Sequence, residues 1–82
     1  MRSKLKCVIV DDEPMAREII ETYIAKIPNL DLTASCKNAA EAILFAQENE
    51  VDLFFLDINM PEISGLSLAK IIHKKAQIIF TT

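Results

Sequence analysis

Apolar and polar positions along the chain follow strand-like periods in four short segments. Residues 5–10 and 51–56 are compact apolar runs, which are typical of strands covered on both faces. Residues 30–36 alternate apolar and polar side chains, which indicates a strand with one wetter face near a sheet edge. A last run, 77–81, begins a fourth strand. The pattern therefore predicts four strands.

The segments between these strands have a helical period. After Pro14, which is well tolerated in a first helical turn, apolar residues recur every four positions until Pro28 ends the helix. Asn38, with Glu41 three residues later, resembles a capping box and begins a second helix. A third helix is predicted over residues 64–75, where the apolar residues again lie on one side.

The alternation of strands and helices predicts an α/β fold. Parallel strands need crossover connections, and helices supply them, so the order β-α-β-α-β-α-β indicates a parallel sheet with helices on both faces. This is a three-layer arrangement. With 82 residues and no internal linker, the chain is expected to form one small domain over residues 1–82.

Composition narrows the class of protein. Hydrophobic residues make up 51% of the chain, which is typical of a globular domain, and the net charge of −3 offers no general attraction for nucleic acid. No apolar run is long enough for a signal peptide or a membrane span, so we expect a cytoplasmic protein without membrane contact. Cys7 and Cys36 stand alone in strand-like surroundings and are expected to be small core residues.

Three carboxylates follow apolar strands. Asp11 and Asp12 come directly after the first strand, and Asp57 comes directly after the third. In open parallel sheets, ligands bind beyond the carboxyl ends of the strands. If the two strands are neighbours, the acids converge and repel one another, so at least one should keep its proton unless a cation is bound. Because Mg²⁺ prefers a few oxygen ligands, the pattern predicts a magnesium site.

One of these carboxylates could act as a phosphoryl acceptor. Asp57 is best placed for that role, Asp12 suits direct metal ligation, and Asp11 could hold a metal-bound water. The simpler interpretation is that each Asp is a turn or helix-cap residue, and for Asp57 alone it would be preferred. For three acids that each follow a buried strand, that interpretation requires a coincidence.

The stretches "VIVDDEP", "LFFLDINMPEISGL" and "IIFTT" together resemble the receiver domain of two-component response regulators. The matches occur in the expected order and cover the whole chain. The run "DDEPMAREIIETYIAKIPNLDL", followed by "CKNAAEAI", is most similar to receivers coupled to LytTR-type DNA-binding domains. The resemblance implies a flavodoxin-like fold with strand order 2-1-3-4.

The resemblance also implies roles for individual residues. Asp57 would accept the phosphoryl group, and Mg²⁺ would bind the side chains of Asp12 and Asp57 and the backbone carbonyl of Asn59. Asp11 would assist through a water molecule. Thr82 would be the switch hydroxyl that moves towards the phosphoryl group, with Thr81 as the alternative. Two further residues would shape the loop after the acceptor: Pro61 and Gly65.

A complete member of this family has a fifth βα unit with a lysine at the end of its strand, and the resemblance therefore implies a C-terminally truncated receiver. The expected partners are a sensor histidine kinase and a second copy of the chain. The copies would associate through the exposed edge of the fourth strand or by exchanging elements. DNA would be bound only through an output domain outside these 82 residues.

Two other functions are compatible with parts of the pattern. A phosphatase of the haloacid dehalogenase type also carries a nucleophilic Asp after an apolar strand, but it requires a second acid two residues later, where this chain has Asn59. An interaction module that has lost phosphoryl transfer is the other alternative. Turnover of a phosphorylated substrate distinguishes the phosphatase, and phosphoryl uptake without turnover distinguishes the receiver from the inert module.

Overall fold

The structure, a computed structural model, describes residues 4–60, 64–74 and 76–81. None of the helices in these ranges is long and apolar enough to cross a membrane. The elements follow the order that the hydrophobic pattern predicts, with ends that differ by a few residues at most. They are β1 (Leu5–Val10), α1 (Pro14–Ala25), β2 (Leu30–Cys36), α2 (Ala39–Glu48), β3 (Leu53–Leu56), α3 (Gly65–Ile72) and β4 (Gln77–Phe80).

The four strands form one parallel sheet in the order β2-β1-β3-β4. β1 lies at the centre, where Val10 is opposite Cys36 of β2 on one side and Leu56 of β3 on the other. The predicted flavodoxin-like α/β fold and its strand order 2-1-3-4 are therefore confirmed. Because β1 and β3 are neighbours, the residues that follow them meet at one edge of the sheet.

Side chains of the sheet pack into a core on each face. The larger core joins Val8 and Val10 of β1 to the apolar sides of α2 and α3. The smaller core joins Cys7 and Ile9 to Ile24 of α1. Alternate residues of a strand point to opposite faces, and both faces are covered, so the apolar run of β1 is buried throughout its second half. Both cysteines are buried free thiols, as predicted.

Local hydrogen bonds fix where two of the helices begin. The side chain of Asn38 accepts a hydrogen bond from the Glu41 amide at 2.8 Å, which is the predicted cap. The Glu41 carboxylate accepts from the Lys37 amide at 3.0 Å rather than from the amide of the cap residue itself. Ser64 caps α3 by accepting from the Ser67 amide at 3.2 Å. These side-chain oxygens accept hydrogen bonds from backbone amides of the first helical turn, which have no partner within the helix.

Helix α1 covers the sheet with only part of its apolar surface. Ile24 is buried and Ile20 is half-buried against the smaller core, whereas Met15, Ile19 and Tyr23 are 75%, 55% and 62% exposed. The four-residue spacing predicts one wide stripe, and the structure divides it into an inner and an outer part. The outer part, Met15, Ile19 and Tyr23, is called the outer α1 face below.

Candidate functional site

The two acidic strand ends lie side by side because the sheet's hydrogen bonding continues past β1 and β3. The Asp57 amide donates to the Val10 carbonyl at 2.9 Å, and the Asp11 amide donates to the Cys36 carbonyl at 3.1 Å. Both acids are thus held as extensions of buried strands. Their backbone positions follow from the sheet itself, which gives the edge a rigid support for chemistry.

Three carboxylates meet at this edge, and they are the three that the sequence predicts. Oxygen atoms from Asp11, Asp12 and Asp57 all lie within 4.8 Å of one another. Asp11 is 2% exposed and Asp57 is 6% exposed, whereas Asp12 is open to solvent. Two buried carboxylates and one accessible carboxylate, all oxygen donors, match the ligand preference of a hard divalent cation such as Mg²⁺.

The Asp57 carboxylate is oriented by the backbone that follows it. Its Oδ1 accepts a hydrogen bond from the Asn59 amide at 3.1 Å, so the chain turns back immediately after the strand. This bond occupies the amide of Asn59, and the predicted role of its carbonyl as a metal ligand stays a prediction. The turn fixes the direction of the carboxylate towards Asp11 and Asp12.

Asp11 is the carboxyl of the cluster whose pKa is raised by its surroundings. Burial raises the pKa of the Asp11 carboxyl above its usual range, and the nearby charges of Asp57 and Asp12 and a side-chain hydrogen bond to Asp57 add to the rise. A hydrogen bond from the Glu13 amide to Asp11 Oδ1, 2.9 Å long, opposes it. This direction is the one expected for a carboxyl in a cluster of acids without a cation. A bound cation would remove the repulsion among these acids.

Gly65 begins α3 in direct contact with the loop that follows Asp57. Its amide donates to the Ile58 carbonyl at 2.9 Å. A β-carbon at this position would overlap the Asp57 carbonyl oxygen and lie 2.8 Å from the Ile58 α-carbon. Glycine is required here by this close approach of two backbone segments. Pro61, which the sequence predicts to shape the same loop, lies outside the described residues.

The hydroxyl residues after β4 are only partly described. Thr82, the predicted switch residue, lies outside the described residues. The alternative, Thr81, donates its amide and its hydroxyl to the Leu56 carbonyl, at 2.8 and 3.2 Å. Thr81 and Asp11 border an apolar cavity of about 280 Å³ whose remaining wall is formed by α1. The hydroxyl therefore lies on the same side of the sheet edge as the acids.

One contact at the site has no signal in the sequence pattern. Arg17 on α1 donates from Nη1 to the backbone carbonyl of Asp11 at 2.6 Å. A lone arginine on the polar side of an amphipathic helix is usually a solvated residue, and neither spacing nor composition distinguishes this one. Only the structure shows that the Arg17 side chain folds back over the turn between β1 and α1 that carries Asp11 and Asp12.

Fold and site together define a class of protein. A doubly wound parallel sheet that holds three carboxylates at its carboxyl edge, two of them buried, is suited to metal-assisted phosphoryl chemistry. A profile of the response regulator receiver domain matches residues 7–82. The chain therefore belongs to the response regulator receiver family. This family acts as a signalling switch, so the phosphatase interpretation is not supported.

Individual relatives agree with this assignment. The chain is 40% identical over 80 residues to an uncharacterized response regulatory protein of Yersinia pestis and 36% identical to the transcriptional regulatory protein BtsR of Escherichia coli K12. Each alignment covers 95% of this chain and 34% of the relative, so the chain spans about a third of their length. The response regulator TrrA of Thermotoga maritima, solved in complex with Mg²⁺-BeF, is 35% identical with a TM-score of 0.83. That alignment covers 93% of this chain and 67% of TrrA.

Proposed function

We propose that Asp57 is the residue on which this receiver accepts a phosphoryl group from a sensor histidine kinase. A carboxylate oxygen of Asp57 attacks phosphorus, the bond from phosphorus to the donor nitrogen breaks, and an acyl phosphate forms. The observation that carries the proposal is the position of Asp57. It is buried, hydrogen-bonded to the strand and the following turn, and within 4.8 Å of two further carboxylates.

We further propose that Mg²⁺ occupies the cluster. The side chains of Asp12 and Asp57 and the backbone carbonyl of Asn59 would hold it, and Asp11 would act through a water molecule. When bound, the cation offsets the negative charge that the carboxylates and the transferred oxygens bring together. The donor set, the raised pKa of Asp11 and the Mg²⁺ in the TrrA complex support this assignment.

The signal would pass from Asp57 to a hydroxyl at the end of β4. Phosphorylation of Asp57 adds a charge of about −1.5 to −2 and further acceptor oxygens, and both attract hydrogen-bond donors such as a nearby hydroxyl. Thr82 is proposed as the switch hydroxyl. Thr81 is the alternative, and its bond to the Leu56 carbonyl would have to break for it to take that role.

The proposed output is transcription control through a LytTR-type DNA-binding domain. The similarity to BtsR, whose name describes a transcriptional regulatory protein, supports an output of this kind. DNA would be contacted by that domain and not by this acidic chain, and the protein would act in the cytoplasm.

We also propose that copies of the chain form a dimer through β4 or by exchanging elements. β4 is an edge strand of the described sheet, and its Ile79 and Phe80 are 46% and 41% exposed.

Phosphoryl uptake tests the proposed function. The protein is incubated with acetyl phosphate and Mg²⁺, and its intact mass is measured beside that of Asp57→Asn and of the control Asp31→Asn. Uptake of one phosphoryl group by wild type and by the control, with none by Asp57→Asn, is expected. Absence of uptake in the wild type would favour the inert interaction module. Release of phosphate from a phosphomonoester with repeated turnover would favour the phosphatase.

A further inference from the structure

Arg17 forms hydrogen bonds on both sides of Asp12. Its Nη1 donates to the Asp11 carbonyl at 2.6 Å, and its backbone amide donates to the Glu13 carbonyl at 3.1 Å. The first bond is short, as expected for a hydrogen bond from a charged donor. The Asp11 carbonyl belongs to the peptide unit directly before Asp12. The Glu13 carbonyl belongs to the unit between Glu13 and Pro14, and its bond to the Arg17 amide is the ordinary first backbone bond of α1. The Arg17 side chain thus restrains the peptide unit that precedes the exposed acid of the cluster.

The turn that carries Asp12 has two further restraints. Asp11 Oδ1 accepts from the Glu13 amide at 2.9 Å, and the Asp11 amide is held by the Cys36 carbonyl of β2. Asp12 itself is exposed, so packing does not fix its side chain. The backbone of the Asp11–Glu13 turn sets the direction of the Asp12 Cα–Cβ bond and with it the positions that the carboxylate can reach. The Arg17 side chain restrains that backbone at the Asp11 carbonyl.

We propose that Arg17 is a positioning residue for the divalent-metal site, because it holds the Asp11–Glu13 turn so that the Asp12 carboxylate is directed towards the ion. This proposal rests on the proposed function, in which Asp12 is a metal ligand. Partners one step removed from a ligand commonly change metal affinity by about 10-fold or more when they are lost. A residue that only stabilised the fold would lower the melting temperature without changing that affinity.

Calorimetric titration with Mg²⁺ tests the proposal on Arg17→Met, which keeps the apolar stem and removes the donor. We expect its dissociation constant for Mg²⁺ to rise about 10-fold. Arg17→Lys, which can still donate to one carbonyl, should recover part of the loss. The initial rate of phosphoryl uptake should return to within about twofold of wild type at saturating Mg²⁺, as expected when only binding is lost.

Two controls separate the explanations. Ile20→Val weakens the inner packing of the same helix and should lower the melting temperature with an unchanged Mg²⁺ affinity. Asp12→Asn should weaken Mg²⁺ binding more than any Arg17 variant.

The outcomes distinguish the role of Arg17 from the metal site itself. If wild type binds Mg²⁺ and Asp12→Asn loses it while Arg17→Met and Arg17→Lys both bind as wild type does, the role of Arg17 is overturned and the metal site stands. If wild type and Asp12→Asn bind Mg²⁺ equally, the proposed metal site falls and this role with it. Should Arg17→Met not fold, the titration of Arg17→Lys decides: an affinity equal to that of wild type counts against the proposal, and an intermediate affinity supports it.

Discussion

At the scale of single residues, the site consists of carboxylates held at buried positions, where a negative charge is unfavourable. Asp11 and Asp57 are almost fully buried at the ends of apolar strands, and Asp12 completes a cluster whose oxygens lie within 4.8 Å. Burying charge in this way costs stability unless hydrogen bonds or a cation compensate. The amides of Glu13 and Asn59 compensate part of this cost, while burial raises the pKa of the Asp11 carboxyl.

Asp11→Asn should therefore stabilise the metal-free protein. The folded state raises the pKa of Asp11 above that of the unfolded chain, so this residue's favourable contribution is present at low pH and is lost as pH rises through the folded value. An asparagine at position 11 does not titrate, so it loses no stability as pH rises. Its side-chain oxygen can still accept a hydrogen bond from the Glu13 amide. In EDTA, the melting temperature of the variant should exceed that of wild type at neutral pH, with the difference shrinking on acidification.

The control for this prediction is Asp31→Asn, which removes an exposed carboxylate from β2. Its melting temperature should differ little from that of wild type over the same pH range. A variant Asp11→Asn that melts below wild type in EDTA at neutral pH would contradict the account. Added Mg²⁺ should raise the melting temperature of wild type, because a ligand that binds only the folded state stabilises it.

At the scale of elements, the junction between β3 and α3 controls the loop behind the acceptor. Gly65 starts α3 against the Asp57 carbonyl, Ser64 caps the helix, and the Gly65 amide bonds to Ile58. Backbone contact thus holds the start of α3 against the residues that follow the acceptor. Any side chain at position 65 must displace either the helix or the acceptor loop.

Gly65→Ala is expected to destabilise the protein by about 1–3 kcal/mol, the range for a methyl group forced into a filled space. Because the displaced atoms belong to Asp57, the rate of phosphoryl uptake should also fall. Leu66→Ala is the matched control, since it changes the next residue of α3, whose side chain is largely exposed. Chemical denaturation and uptake kinetics measure the two effects. An unchanged stability of Gly65→Ala would show that the close approach is absent.

At the scale of the whole molecule, apolar surface remains outside the two cores. The outer α1 face carries Met15, Ile19 and Tyr23, and exposed residues of β4 lie at the sheet edge. Contiguous apolar surface and an uncovered strand edge favour association between chains. Ile19 and Tyr23 of the outer α1 face also border the cavity next to Asp11 and Thr81, so association there would adjoin the acidic site.

Sedimentation velocity over a concentration series tests self-association. Wild type should move from monomer towards dimer as concentration rises. Ile79→Lys, which places a charge on the half-exposed surface of β4, should shift this equilibrium towards monomer. Leu44→Lys, which places the same charge at an exposed leucine of α2, is the control and should associate as wild type does. A wild-type protein that is monomeric at every concentration would contradict the proposed dimer.

The spacing of hydrophobic residues predicts most of this fold. Each strand and helix buries one or both of its faces, and the buried positions recur with the period of that element. The strand order and the meeting of Asp11, Asp12 and Asp57 follow once parallel topology and the family resemblance are recognised. The contact from Arg17 to the Asp11 carbonyl could not be predicted. It depends on the rotamer of one long side chain over one turn, and no periodic pattern encodes that.

Identification of the residue that carries the phosphoryl group tests the proposed role of Asp57. The protein is treated with acetyl phosphate and Mg²⁺, the acyl phosphate is reduced with borohydride, and the peptides are sequenced by mass spectrometry. Reduction converts a phosphorylated aspartate to homoserine, so the modified position is recorded covalently. We expect homoserine at position 57 and unmodified aspartate at positions 11 and 12. Homoserine at position 11 or 12 instead, or at no position, would contradict that role.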